Sequence, residues 1–366
     1  MRIAIIKQNE VNNLAYAGYL YNLLLEAARE HHYEIVDAGN KLKDTPSSGS
    51  TLFIVHNNAT IQLGLKWFYE VHLPSLVKKL NADVVIHLNG ILSSSVKQPQ
   101  LIVLPGLDAL QNTSVKKSAQ SQYINKKLSS ALAKASALIT YSAPVKTFIE
   151  ERGEASGSIT IIPVAAEEFF KPVEWEQKEL LKAEHTGGSE FFLINRNFTR
   201  QEDLLQLLKA FSVFKKWQQS SMKLVIAGAL LFDEADEKIA TYKYRNDVKI
   251  IPVLPAQEYA TLLACSYCFL HLSADETDLL AVMQAMQSGT AVITNTNHSY
   301  KTIFGENVLY NEDGDPQTLG NNLIRIYKNE QLRNLLIRGS LQLANSVHYN
   351  DIKLNLLKLV IEAAGK

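Results

Sequence analysis

The chain has no excess of charge of either sign, since 37 lysines and arginines face 37 aspartates and glutamates. Without a net field it exerts no general pull on nucleic acid or on an anionic membrane, so nucleic acid is not an expected partner and any polyanion would need a local site. No stretch approaches the ~20 apolar residues of a membrane span. The apolar run in MRIAIIKQNE is short and ends in charge, unlike a secretory signal, and a cytoplasmic setting is the expectation. Cysteine is scarce: the two present, Cys265 and Cys268, form CSYC. No second pair could complete a zinc site, and Tyr267, Phe269 and Leu270 read as a buried strand, so both thiols are expected to be reduced core residues. A glycine fingerprint is missing from IAIIKQNEVNNLAYAG, which argues against a Rossmann-type nicotinamide dehydrogenase.

What is present is a 46% hydrophobic chain of 366 residues, enough for two or more cores. RIAII, YEIV, LFIVH, DVVIHL, LIVL, ALIT and TIIP are short β-branched runs separated by helical periods at 17–31, 61–79, 122–136 and 144–152. After KPVEWEQKELLKAEHTGGSE, read as a hinge over 171–189, the alternation restarts with FFLIN, KLVIAG, VKII, YCFLHL and AVIT. Helices are expected at 202–217, 256–264, 277–288, 316–345 and 350–364. The pattern predicts two α/β domains with parallel sheets, 1–170 and 190–348, facing across a cleft, and a last helix over 349–366 that crosses back to the first.

Open parallel sheets bind ligands beyond the carboxyl ends of their strands. ETDLLAVMQAM follows YCFLHL at such an edge. Read as a helix opening at Thr277, it places Glu276, Leu280 and Gln284 on one face, with Glu276 and Gln284 roughly 12 Å apart. Two polar groups so spaced suit the two ends of an elongated polar ligand. SADE also fits a capping box, in which Asp275 or Thr277 caps the helix and Glu276 serves backbone N–H groups. Leu279, Val282, Met283 and Met286 form a core stripe.

The order of several segments resembles the group-one, retaining, nucleotide-sugar-dependent glycosyltransferases of the GT-B fold. The segments are LPSLVKKLNADVVIHLNG, ALAKASALITYSAPVKTFIEERG, IIPVAAEEFFKP, LLQLLKAFSVFKKWQQSSMKLVIAG, VKIIPVLPAQEYATLLACSYCFLHLSADE and AMQSGTAVITN. The resemblance implies transfer of a hexosyl group from a nucleotide-diphosphate sugar, a co-substrate, to a glycan or lipid-linked acceptor. It implies no cofactor and no metal, because arginine, lysine and a helix dipole neutralise the diphosphate. It assigns Glu276 to the donor sugar as the catalytic-site carboxylate and Gln284 to the ribose. Thr277, Asp278 and Leu279 stand where the family's Gly-Phe-Gly meets the diphosphate. Arg196 and Arg200, in NRNFTRQED, fall near the family's basic pair, and Val253 and Leu254 lie on the donor side. Gly18, Pro105 and Gly106 belong to the acceptor-side loops.

This chain departs from the family where the chemistry belongs. Gln284 replaces a glutamate, Asp278 adds negative charge beside the phosphates, Glu202 occupies the lysine slot, and Lys301-Thr302 replaces Pro-Glu. Arg196 could equally pair with Glu202 or Asp203, Gly18 could be a packing glycine, and His87 could be a satisfied strand-end histidine. Two readings therefore stay open: a hexosyltransferase, or a catalytically impaired homologue that holds a glycan or scaffolds a catalytic paralogue. Epimerases that share the two-domain body lack clear counterparts here for their cleft acid/base groups. Lys78-Lys79, Lys116-Lys117 and Lys126-Lys127 give the first domain local positive charge for peripheral contact at the inner membrane face, although paired lysines more often form a solvated face.

Overall fold

The alternation of apolar runs and helical periods resolves into two parallel sheets. The computed structural model describes residues 1–8, 15–38, 49–59, 61–111, 119–312 and 314–365. Its first strands are β1 (Arg2–Gln8), β2 (Glu34–Asp37), β3 (Thr51–Asn57), β4 (Val84–His87), β5 (Gln100–Val103), β6 (Ala137–Thr140) and β7 (Ser158–Ile161). They pair in parallel in the order β2-β3-β1-β4-β5-β6-β7. Their helices are α1 (Ala15–Glu30), α2 (Gln62–Trp67), α3 (Leu73–Leu80), α4 (Leu107–Leu110), α5 (Ala119–Lys134) and α6 (Ala143–Arg152), with a π-helical turn, Phe68–His72, between α2 and α3.

The second sheet runs β10-β9-β8-β11-β12-β13, again all parallel. Its strands are β8 (Phe191–Asn195), β9 (Lys223–Ala227), β10 (Val248–Ile251), β11 (Cys268–His271), β12 (Ala291–Asn295) and β13 (Leu309–Asn311). The helices are α7 (Trp175–Thr186), α8 (Gln201–Trp217), α9 (Ala235–Ala240), α10 (Ala256–Cys265), α11 (Leu280–Gln287), α12 (His298–Phe304), α13 (Pro316–Lys328) and α14 (Glu330–Ala344), and a last helix, α15 (Tyr349–Ala363), belongs to the first unit. Two compact units result. The first holds 1–164, 275–278 and 349–366, and the second holds 165–274 and 279–348.

In the first unit Phe53, Val55, Tyr69, Leu73 and Val77 close one core between β3 and the α2–α3 run. In the second, Phe192, Leu207, Phe211, Phe214 and Leu323 fill the space between β8, α8 and α13. Burial pushes the Cys265 and Cys268 thiols up to about 11 and about 12, so both stay protonated and pack as small apolar groups. α15 lies along α1, where the Tyr349 hydroxyl donates to Glu26 Oε2 at 2.9 Å and Lys353 pairs with Glu30.

Three expectations are corrected. The span 171–189, read as a hinge, contains α7. Its buried positions include Lys182 and Thr186, so it carries little of the apolar stripe that marks a helix in sequence. The span 316–345 is two helices, because Asn329 takes the Leu332 N–H at 2.9 Å and starts α14 afresh. The helix expected from Thr277 opens at Leu280.

Candidate functional site

In the second unit the site is built at the carboxyl edge of the sheet, beginning with the residue after β8. The Arg196 N–H donates to Ala227 O at 3.0 Å, which draws the loop against the end of β9. Only glycine permits that approach: Gly228 has φ +149°, and a Cβ there would lie 2.3 Å from Arg196 O. The Arg196 guanidinium donates to Asp203 Oδ2 at 2.6 Å and to Leu272 O, just past β11, at 3.3 Å. Arg200, at the N-cap position of α8, stands 3.6 Å from Glu202 and 3.9 Å from Asp203. The two arginines thus meet two carboxylates, and the loop carries no net charge.

Further along the edge, Asn295 Nδ2 donates to Ser273 O at 3.3 Å and Asn311 Nδ2 to Asn295 Oδ1 at 3.2 Å. His271 Nε2 lies 3.1 Å from the Tyr300 hydroxyl. Beside this network three buried oxygens have no hydrogen-bond partner among the described residues: Thr294 Oγ1, Thr296 Oγ1 and Asn311 Oδ1. Each orphaned group costs about 1–3 kcal/mol unless water or a ligand takes it. Their concentration at the ends of β12 and β13 marks the edge as a place for a polar ligand.

The segment after β11 is a turn rather than a first helical turn. Asp275 Oδ1 accepts from both the N–H (2.9 Å) and the hydroxyl (2.7 Å) of Thr277, and the Asp278 N–H closes on Asp275 O at 3.1 Å. A short acidic side chain that bonds two residues ahead competes with helix, which is why α11 starts late. Leu279 sits at its N-cap with no side-chain bond, so the expected capping box does not form. Glu276 therefore precedes the helix and shares no helical face with Gln284.

Within the first unit, the Ala15 N–H donates to Asp275 Oδ2 at 3.3 Å. Glu276 is buried, and its carboxylate lies against Gly106, where a Cβ would come within 2.2 Å of Oε1. Pro105 and Gly106 lead into α4, with Gly106 as its N-cap. Gly18 lies in α1 with open space where a Cβ would go, so it is not a packing glycine. His87 is fully buried, its Nε2 2.9 Å from Gln100 Oε1 and its Nδ1 without a partner.

The other expected residues are dispersed along the second unit. Gln284 is half-buried on α11, and its side-chain amide makes no hydrogen bond among the described residues. Val253 is exposed beyond β10, with Leu254 half-buried beside it. Leu279, Val282, Met283 and Met286 are all buried, as their spacing predicts. Thr277 has both donors committed to Asp275. Lys301, on α12, pairs with Glu312 at 3.2 Å, and the Thr302 hydroxyl donates to His298 O. Sequence reasoning missed Asn295, Asn311, Thr294 and Thr296. Their signal was available: β8, β12 and β13 each end in asparagine, a polar amide delivered to the carboxyl edge of an otherwise apolar strand.

Residues 176–341 match the family described as glycosyl transferases group 1. That stretch, a little under half of the chain, is similar to the group 1 glycosyl transferases. Across the whole chain, similar solved structures have the GT-B fold. HepE of Anabaena in complex with UDP and glucose shares 15% identity over 98% of both chains, with a TM-score of 0.67. Sucrose-phosphate synthase from Thermosynechococcus elongatus shares 14% over 99% of this chain and 98% of its own, with a TM-score of 0.68. WaaG, a glycosyltransferase involved in lipopolysaccharide biosynthesis, shares 12% over 98% and 99%, with a TM-score of 0.70. At such identities the likeness establishes the fold. No protein of curated function matches in sequence. Arg196, the asparagines and the orphaned oxygens all lie inside the matched stretch.

Proposed function

We propose that the chain transfers a hexosyl group from a nucleoside-diphosphate sugar to a glycan or lipid-linked acceptor, with retention of configuration. The observation that carries this reading is Arg196, fixed by Asp203 and Leu272 O on the edge where three buried oxygens lack partners. In this reading Arg196 and Arg200 hold the diphosphate without a metal ion, since fixed cations stabilise the charge that develops on a leaving phosphate. Glu276 accepts hydrogen bonds from sugar hydroxyls, Gln284 meets the ribose, and Val253 and Leu254 flank the base. Retention places the proton transfer on the donor's own leaving phosphate, so Glu276 orients the sugar and does not act as a base. Uridine is the first base to test, because one HepE structure holds UDP-glucose.

On the acceptor side, Leu63, Trp67 and Val71 recur every fourth residue along the α2–α3 run at 74%, 55% and 57% exposure, beside exposed Lys66, Lys78 and Lys79. Tryptophan, aliphatic residues and lysine on one helical face are the composition of an interfacial helix, which supports peripheral contact with an anionic bilayer. Lys127 is instead engaged with Glu70, and Lys116, Lys117 and the Lys126 side chain lie outside the described residues. No described helix is long and apolar enough to cross a membrane. Cosedimentation with anionic vesicles that does not weaken with salt, or does not occur, would argue against this contact.

The cancellation of Arg196 and Arg200 by Glu202 and Asp203 favours a second reading, a homologue that holds a glycan or a catalytic paralogue without turning over. Thermal unfolding against uridine, guanosine and adenosine diphosphates and their sugars separates the two. A ligand at 100 times its Kd stabilises by about 2.7 kcal/mol. Arg196→Ala should remove the shift, and Asp278→Gly should tighten the diphosphate by about fivefold by removing a like charge. A folded protein that responds to no nucleotide, with or without Asp278→Gly, would overturn the transferase reading.

A further inference from the structure

A lysine-rimmed concavity lies in the second unit, away from the strand ends. It is a groove of about 840 Å³ between α8, the segment after α9 and the start of α13, within the size range of ligand sites. Lys209 and Lys216 reach it from α8, two turns or about 10 Å apart along the axis, and Lys238 and Lys243 reach it from the facing wall. Lys238 is shared with Glu234 at 3.5 Å. Lys209, Lys216 and Lys243 have no carboxylate partner among the described residues. The groove's own carboxylate, Asp315, is committed elsewhere: its Oδ2 takes the N–H groups of Gln317 and Thr318 at 2.9 and 3.1 Å and caps α13.

The floor is pre-formed. The Tyr242 hydroxyl donates to Leu208 O at 2.9 Å and lies 2.9 Å from the Ser212 hydroxyl, so the ring is pinned to α8. Tyr244 packs edge-on against it, with ring centroids 5.9 Å apart. α8 and α13 cannot slide apart or together easily, since Gly320 packs so closely on Val213 that a Cβ would lie 2.5 Å away. Three ammonium groups without a carboxylate partner among the described residues, one of them resting on the Tyr244 ring, focus a local positive potential on a chain that is neutral as a whole.

We propose that this groove binds an anionic sugar chain, one that carries carboxylate, sulfate or phosphate groups on its rings. Lysines spaced along α8 suit charges that recur on successive sugars. The half-buried Tyr242 and Tyr244 rings offer apolar surface for one side of a pyranose, with Lys243 Nζ 5.2 Å from the Tyr244 centroid, and Gln206, Thr241 and Gln317 offer donors and acceptors for hydroxyls. A bilayer is a poor occupant because none of the large exposed apolar side chains lines the groove. The site is independent of Arg196 and of the donor reading.

Affinity electrophoresis and calorimetry at low salt, with polygalacturonate and heparin oligosaccharides as anionic probes and dextran as the neutral one, test the proposal. The intact protein should bind the anionic chains and not dextran. Lys209→Gln, Lys216→Gln and Lys243→Gln together should weaken binding at least tenfold, while Lys146→Gln with Lys358→Gln, at surface lysines of the first unit, leaves it unchanged. Tyr244→Ala should weaken oligosaccharide binding and leave binding of inorganic pyrophosphate as it was, because the ring addresses the sugar and the lysines address the charge. Undiminished binding by the triple lysine variant would overturn the proposal, as would absence of binding. So would equal affinity for an acidic peptide or an oligonucleotide. The nucleotide-induced thermal shift should survive the triple variant, so failure here and failure of the transferase reading remain distinguishable.

Discussion

His87 carries a pH dependence that its environment dictates. Burial holds its imidazole down at about 4, only partly opposed by the Gln100 hydrogen bond, against about 6.5 in an unfolded chain. Between those values the unfolded state binds more protons, so stability is full above about pH 6.5 and falls as the pH drops toward 4. The difference of about 2.5 units corresponds to roughly 3 kcal/mol at most. Denaturant unfolding at pH 7 and pH 5 should show about 2 kcal/mol of this loss, and His87→Gln should flatten the slope. An unchanged slope would mean that the imidazole is protonated in the fold. The sequence showed a histidine at a strand end, and its neighbour Gln100 lies on a different strand, so only the register of β4 with β5 could reveal the pairing.

At the level of elements, the start of α4 and the turn before α11 constrain each other. A methyl group on Gly106 would meet Glu276 Oε1, Cδ and Cγ at 2.2, 2.7 and 2.8 Å. Gly106→Ala should therefore displace a buried carboxylate and destabilise by about 1–3 kcal/mol. Glu276→Ala in the same chain should recover much of that loss, a non-additivity that a double-mutant cycle on denaturant midpoints would measure. Simple addition of the two effects would refute the contact. If Glu276 serves the donor sugar, Gly106→Ala should also weaken a sugar nucleotide more than the free nucleotide.

The strands of both sheets and most helices were legible because apolar periodicity dominates them. The turn at Asp275–Asp278 was not, since aspartate and threonine serve helix caps and tight turns alike. Here the Ala15 N–H, far away in sequence, fixes the second oxygen of Asp275. α7 was hidden for a different reason: a lysine with two carboxylate partners, Glu179 and Glu190, occupies its buried face. At the site, Arg196 was legible, but the choice among its acidic neighbours was settled by the first turn of α8, which brings Asp203 and not Glu202 to it.

For the whole molecule, the first unit is assembled from both ends of the chain. β1 is an inner strand of its sheet, paired on both sides, and α15 covers α1 with Ile352, Leu356, Leu357 and Val360 buried. Removing 349–366 should expose that face and cost the first unit several kcal/mol, at about 1.5–3 kcal/mol for each large apolar side chain returned to water. Hydrogen exchange should then rise in β1 and α1 and stay unchanged in β9 and α8. Equal loss of protection in both units would show that they unfold as one. The same arrangement orders events during synthesis. The continuous span 165–348 leaves the ribosome before α15 does, so the unit that comes second in sequence has its strands and helices available first. The unit that begins the chain must wait, with the apolar face of α1 uncovered, until α15 has been made.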